Sequence, residues 1–259
     1  MPILILAGGR GTRLMEETRT VPKPMVTVGD TPILVHIMRY YAHHGFRKFV
    51  ILLGYKGYII KDYFRTYGER IFDLIVNVNA GKASHRTLPT EHHDDWEVVL
   101  AETGEHSMTA RRLHLAARYV DAPVFGLTYG DGVADVDLRG ALSFHQQHGC
   151  LGTVTAVHPP SRFGRLVLGD GSRVDAFREK ETLANDFING GYFFFNREFL
   201  SRLDESNIPL ETAPLTRLAE EGQLHAFKHE GFWQPMDTLR DRQTLEDLYE
   251  RGEAPWHVG

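Results

Sequence analysis

Apolar residues early in the chain fall into compact blocks that suit strands covered on both faces. Pro2 to Leu6 is one unbroken run, and Phe49-Val50-Ile51-Leu52-Leu53 is a second; short runs bounded by turn residues fit buried parallel strands. Between them Ile33, Leu34, Ile37, Met38 and Tyr41 recur at helical spacing, which predicts a helix with that stripe buried. Thr31 is its expected cap, Pro32 suits its first turn and Gly45 its end. Gly54 to Tyr67 reads as loop then helix, and further strands are expected at Leu74 to Val78 and Glu97 to Ala101. The polar stretch between those two, Ala80 to Asp95, reads as an excursion outside the core.

Helices are expected over Met108 to Val120 and, capped by Asp137, over Leu138 to His148, with strands at Val124 to Tyr129 and Gly152 to Val157. Strands alternating with helices imply an α/β fold, a mainly parallel sheet with helices on both faces. From Pro159 onward the strands shorten. Leu166 to Leu168, Val174 to Phe177 and Tyr192 to Phe195 read as a smaller mixed or antiparallel insertion. The chain closes with the segment Leu210 to Glu221, a strand from Leu224 to His229 and a helix from Leu239 to Arg251. No repeat or linker interrupts it, so one domain is expected: a core over residues 1–157, an added part over 158–237, and a C-terminal helix and tail over 238–259.

A length of 259 residues is ample for one such core. A net charge of −5 argues against a general nucleic-acid binder, which needs a basic stripe. The single cysteine, Cys150, rules out an intramolecular disulfide. Fourteen histidines raise the question of zinc, but His43-His44, His92-His93 and His145/His148 show neither a Cys cluster nor H-E-x-x-H spacing, and read as solvated helix and loop residues. No apolar run approaches the ~20 residues of a membrane span. Met1 leads straight into a core strand, so a cytoplasmic protein without a signal peptide is expected.

The chemistry concentrates where the first strand ends. Leu6-Ala7-Gly8-Gly9-Arg10-Gly11-Thr12-Arg13-Leu14 has three glycines, whose N–H groups can approach a ligand without a Cβ in the way. Arg10, Arg13 and Lys23, the last within Val21-Pro22-Lys23-Pro24-Met25, surround that backbone with cations. Such a loop suits polyphosphate. The Walker pattern is absent, and the dinucleotide fingerprint fails because Leu14 stands where its third glycine belongs. Tyr129-Gly130-Asp131-Gly132 ends another buried strand, at the sheet edge where α/β proteins bind ligands. Asp131 can there hold a divalent cation, though Asp-Gly is also a common turn. Asp237 is the second candidate metal ligand and equally a candidate helix cap; Asp135 and Asp137 read as structural. Glu179-Lys180 and Asn189-Gly190-Gly191 offer a phosphate cation and groups for sugar hydroxyls, weak signals singly that gain weight from their order.

Together the L-A-G-G-R-G-T-R and P-K-P segments resemble the signature of the sugar-1-phosphate nucleotidyltransferases, and the likeness runs from Ile3 to about Trp256. Gly54-Tyr55-Lys56-Gly57-Tyr58, Thr103 to Thr109, Thr128 to Val133 and Phe227 to Thr238 resemble most the branch that uses CTP and glucose 1-phosphate. The resemblance implies a Rossmann-like nucleotidyltransferase fold with a smaller β-rich sugar-binding insertion. It implies a reaction of CTP with α-D-glucose 1-phosphate giving CDP-glucose and pyrophosphate, with Mg2+ as cofactor and a homo-oligomeric assembly. Another NTP, another acceptor phosphate, or a nucleotide-sensing subunit without turnover are the rival readings. By the same resemblance residues 6–13 and Gly130 bind the nucleotide, with Arg13 on the leaving phosphates and Lys23 on the α-phosphate. Ser107 and Arg112 complete the nucleotide contacts. Asp131 and Asp237 hold the metal, and Glu179, Lys180, Asn189 and Gly190 take the sugar phosphate. The chain departs from the family pattern at Ala110-Arg111, where two glycines are expected in the nucleotide pocket, and at Glu181, where a proline is expected.

Overall fold

The computed structural model describes residues 1–79, 82–88, 94–159, 165–178 and 186–258. Its centre is a seven-stranded sheet in the order Leu224–His229, Gly152–Val157, Ile188–Asn196, Val124–Tyr129, Pro2–Ala7, Lys48–Leu53, Glu97–Glu102. Ile188–Asn196 runs antiparallel to both of its neighbours, and the other pairings are parallel.

Side chains that alternate along each strand supply two separate cores. Ile3, Ile5, Phe49, Ile51 and Phe194 face one side, where the helices Ile33–His43, Leu138–His148 and Leu239–Glu250 pack. Leu4, Val50, Leu52, Phe125 and Phe195 face the other, against the helices Thr109–Ala116 and Ala213–Glu220. The expected helix at residues 138–148 is present with Asp137 as cap, its carboxylate accepting from Gly140 N at 2.9 Å. Gly45, at φ 81°, closes the helix Ile33–His43 as expected.

Several elements differ from expectation. Thr31 does not cap its helix: Thr31–Pro32 pairs with Thr27–Val28, and the helix begins at Ile33 with no side-chain cap. The expected strand at Leu74 to Val78 does not join the sheet. It forms the hairpin Asp73–Asn79 with Lys82–Leu88, the latter inside the polar stretch read as an excursion outside the core. Leu74, Val76 and Val78 share one face of that hairpin and are exposed, so its alternation marks a one-sided ribbon and not a core strand. Tyr192 to Phe195 is the largest correction. It lies in the middle of the main sheet, and its unbroken aromatic run Tyr192-Phe193-Phe194-Phe195 feeds both cores. The small antiparallel pair Arg165–Leu168 with Val174–Arg178 does stand apart from the main sheet, as expected.

Pro2–Ala7 has its sequential successors, Lys48–Leu53 and Glu97–Glu102, on one side and Val124–Tyr129 on the other. The connections therefore leave the first strand in opposite directions, opening a crevice at the carboxyl ends of Pro2–Ala7 and Val124–Tyr129. In open α/β sheets that switch point is where ligands bind.

Candidate active site

The two loops leaving those strands face each other across the crevice, and Gly130 N donates to Leu6 O at 3.0 Å to hold them together. Lys23 is carried in on the short turn Lys23–Met25 and is 8% exposed. Its ammonium donates to Asp131 Oδ2 and to Asp237 Oδ1, each at 2.6 Å, while Arg13 Nη1 donates to Asp237 Oδ2 at 3.1 Å. Burial alone would lower the pKa of Lys23, but the Asp131 and Asp237 carboxylates outweigh it and hold the ammonium above its ordinary value. For Asp237, burial raises the pKa and is likewise outweighed by Lys23 and Arg13, so its carboxyl stays below the usual range. Asp237 does not cap the last helix; Thr238 does, in a capping box with Asp241. The cap one residue on leaves the Asp237 side chain free to enter the site.

Because its folded-state pKa is depressed, the contribution of Asp237 to stability is present above the unfolded carboxylate value of about 3.9 and is lost as pH falls through the folded value. The stability difference between the protein and Asp237→Asn is therefore expected to be constant above about pH 5 and to shrink in more acid solution. Urea melts of both proteins in EDTA across that range check this, and a difference that persists unchanged in acid contradicts it.

Two cavities meet at this cluster. One, of about 380 Å³, is lined by Leu6 to Gly9, Gly11, Lys23, Ser107, Arg112, Tyr129 and Asp131, together with Met108, Thr109 and Glu211. The other, of about 270 Å³, is lined by Asn189, Gly190, Trp233, Asp237 and again Tyr129 and Asp131. Arg10 is turned aside to Glu105 at 2.8 Å and does not line either, while Thr12 opens the turn Thr12–Leu14 beside the first. Glu179, Lys180 and Glu181 lie outside the described residues.

Arg112 is buried beneath the glycine loop. Its Nη1 donates to Leu53 O, Thr103 Oγ1 and Gly104 O at 2.7–2.8 Å, and its Nη2 to Gly8 O at 3.0 Å and Glu105 O at 3.3 Å. In a planar trans peptide C=O and N–H point opposite ways, so anchoring the Gly8 carbonyl turns the Gly9 N–H away from Arg112. Glycine is needed at 8 and 54 because a Cβ at either would meet the Arg112 guanidinium within 2.6 Å. Arg112→Met should strand these carbonyls and lower stability by about 3 kcal/mol; urea denaturation with an unchanged m-value measures it, and a loss under about 1 kcal/mol would remove Arg112 from this role.

Ala110 and Arg111, where the resemblance implies two glycines, do not line the cavity beneath the glycine loop. Ala110 packs into the second core and Arg111 Nη1 donates to Glu205 O, because a helix starting at Thr109 points them to its other faces.

Sequence reasoning overlooked the wall shared by the cavities. Tyr129 donates to Glu211, which also accepts from Thr109 Oγ1 at 3.0 Å, and Asn189 Nδ2 donates to Tyr129 Oη at 3.1 Å. Burial first, and then Glu211, push the Tyr129 phenol up, so it stays a donor. Tyr129 stood inside a segment already singled out; Glu211, 82 positions away, belonged to no motif.

A parallel-rich sheet thus carries a glycine loop, a buried lysine and two aspartates at its switch point. Residues 3–241 match the nucleotidyl transferase family model, and the chain belongs to that family of enzymes. It is 47% identical to the glucose-1-phosphate cytidylyltransferase of Salmonella typhimurium, over 99% of this chain and 98% of that protein. It is 37% identical to a probable glucose-1-phosphate cytidylyltransferase of Bacillus subtilis, over 100% of each. Among solved structures, HddC from Yersinia pseudotuberculosis complexed with GMP-PN matches with a TM-score of 0.68 at 20% identity, over 96% of this chain and 99% of that one. That likeness is one of fold. Among the described residues no helix is long and apolar enough to cross a membrane.

Proposed function

We propose that this chain transfers the cytidylyl group of CTP to α-D-glucose 1-phosphate, releasing pyrophosphate and forming CDP-glucose. The observation that carries the reading is the placement of Lys23 between Asp131 and Asp237 at the seam of two cavities, with the cytidylyltransferase relatives supplying the substrates. The cavity under the glycine loop takes the nucleotide and the one beside Asn189 and Trp233 takes the sugar phosphate.

A phosphate oxygen of the sugar phosphate bonds to the α-phosphorus of CTP as the bond to the bridging oxygen breaks, and the electron pair leaves on pyrophosphate. No side chain forms a covalent intermediate, so the protein contributes alignment and charge. The loop N–H groups and Arg13 hold the leaving β- and γ-phosphates, Lys23 faces the α-phosphate, and Ser107 lies on the nucleotide side. Lys180 with Glu179 is assigned to the incoming phosphate, and Asn189 and Gly190 to the sugar. Asp131 and Asp237 offer hard oxygen donors from two carboxylate groups, which suits a cation that also takes phosphate and water ligands. Mg2+ held there would neutralise phosphate charge.

Pyrophosphate release measured with CTP, UTP, dTTP and GTP against a panel of sugar 1-phosphates tests the reading. CTP with glucose 1-phosphate should give the highest kcat/KM; a pair tenfold better would replace these substrates while keeping the chemistry.

A further inference from the structure

Glu211 sets a negative group into the wall of a cavity that takes a polyanion. It lines the cavity of about 380 Å³ together with Lys23, Ser107, Thr109 and Tyr129. A carboxylate there repels bound phosphates, and it only accepts hydrogen bonds. It therefore gains from a nucleotide only where the nucleotide donates.

Hydrogen bonds around Glu211 settle what it can still accept. Thr109 Oγ1 accepts from Leu210 N at 2.6 Å, so its single proton goes to Glu211 Oε2 at 3.0 Å. On the other side Asn189 Oδ1 accepts from Gly191 N at 2.8 Å, because a backbone N–H can only donate. The atom of Asn189 that faces Tyr129 Oη at 3.1 Å is then its amide nitrogen. Tyr129 Oη accepts that bond, and its own proton goes to Glu211 Oε1. Each carboxylate oxygen thus takes one protein donor and keeps a further lone pair. Donors 82 and 102 positions away fix the orientation of a group that is itself exposed.

CTP carries donors in two places, the ribose hydroxyls and the exocyclic amine of cytosine. The ribose is bonded directly to the α-phosphate, which the proposed reaction sets against Lys23 and Asp131; the base lies beyond the ribose. Tyr129, two residues before Asp131, carries the cavity wall from that phosphate position to Glu211. The neighbouring 2′- and 3′-hydroxyls place two donors on one edge of the sugar, matching one free lone pair on each oxygen of a carboxylate.

We propose that Glu211 accepts from the ribose hydroxyls of the nucleotide and sets a preference for ribonucleotides over deoxyribonucleotides, with Thr109 and Tyr129 as its positioning residues. The inference rests on the nucleotide occupying this cavity, as in the function proposed above.

The test compares kcat/KM for the best ribonucleotide with kcat/KM for its 2′-deoxy and 3′-deoxy forms, using the whole protein with saturating Mg2+ and sugar phosphate. The unsubstituted protein should favour the ribonucleotide over at least one deoxy form by about 10–100-fold, the worth of a hydrogen bond to a charged group. Glu211→Ala should lower use of the ribonucleotide and hold that deoxy form nearly constant, so that the preference largely disappears. Glu211→Gln, which keeps one acceptor oxygen, should fall between the two. Thr109→Val, which removes one of the donors orienting the carboxylate, should lose part of the preference. A role limited to tethering the segment around Glu211 would slow all three nucleotides alike and leave the ratio intact. Glu211→Gln carries the comparison if Glu211→Ala folds poorly, as judged by circular dichroism. Turnover with an unchanged ribose preference in the Glu211 variants overturns the proposal and leaves the proposed function standing. So does a changed CTP-to-UTP ratio at constant ribose preference, which would set the carboxylate against the base. Absence of turnover with every nucleotide overturns the proposed function and this inference with it.

Discussion

Lys23→Ala is expected to lower kcat by about 10²–10³-fold while changing the KM for CTP far less. The ammonium is held buried and charged between two carboxylates before any substrate arrives. It is therefore already placed and desolvated, and its interaction should strengthen as charge develops at the α-phosphate. Removing it has a second consequence. Asp131 and Asp237 lose the cation between them and repel each other, so the variant should need less Mg2+ to reach its own, lower, maximum rate. Steady-state kinetics against CTP and against Mg2+ measure both effects. Near-normal turnover in Lys23→Ala would take Lys23 out of the catalytic set.

The aspartates should respond differently from the lysine. Asp131→Asn keeps an oxygen that can accept from Lys23 but removes the anionic metal ligand, so activity should fall on the order of 10³-fold with the fold preserved. Asp131 lines both cavities, so no repositioned substrate can avoid its loss. Asp237→Asn should be impaired less severely, because Asp237 shares its charge with Arg13 as well as Lys23. Chelation should silence the unsubstituted protein, and readdition of Mg2+ should restore it. Full activity in EDTA would overturn the metal assignment, and equal activity of Asp131→Asn and the unsubstituted protein would remove Asp131.

Much of this was legible along the chain because it is local. Pro2 to Leu6 and Phe49 to Leu53 are apolar throughout, and a segment that must be covered on both faces has few other ways to fold. The Leu138–His148 helix announces both ends, an aspartate that accepts from its first turn and Gly149 at φ 66°. The glycine loop was recognisable because the freedom to approach a phosphate belongs to the residue itself. Elements failed where a neighbour decided them. Thr31 has the chemistry of a cap, but strand pairing with Val28 took its backbone. Alternation at Leu74 to Val78 identifies a strand without saying what it pairs with, and it pairs with Lys82–Leu88.

The sequence by itself determined most of the main-sheet strands and the longer helices, where the glycine loop lies, and which charged residues were available for chemistry. Each of those properties rests on residue type and on spacings of a few positions. Tertiary structure alone decided that Ile188–Asn196 enters the sheet antiparallel between Gly152–Val157 and Val124–Tyr129. It also brought Lys23 to Asp131 and Asp237 across 108 and 214 positions. It turned Arg112 into a brace for the glycine loop, and it set Glu211 against Tyr129. Strand order and side-chain convergence depend on packing two cores against opposite faces of one sheet, and local periodicity carries no record of which distant segment will fill the neighbouring place.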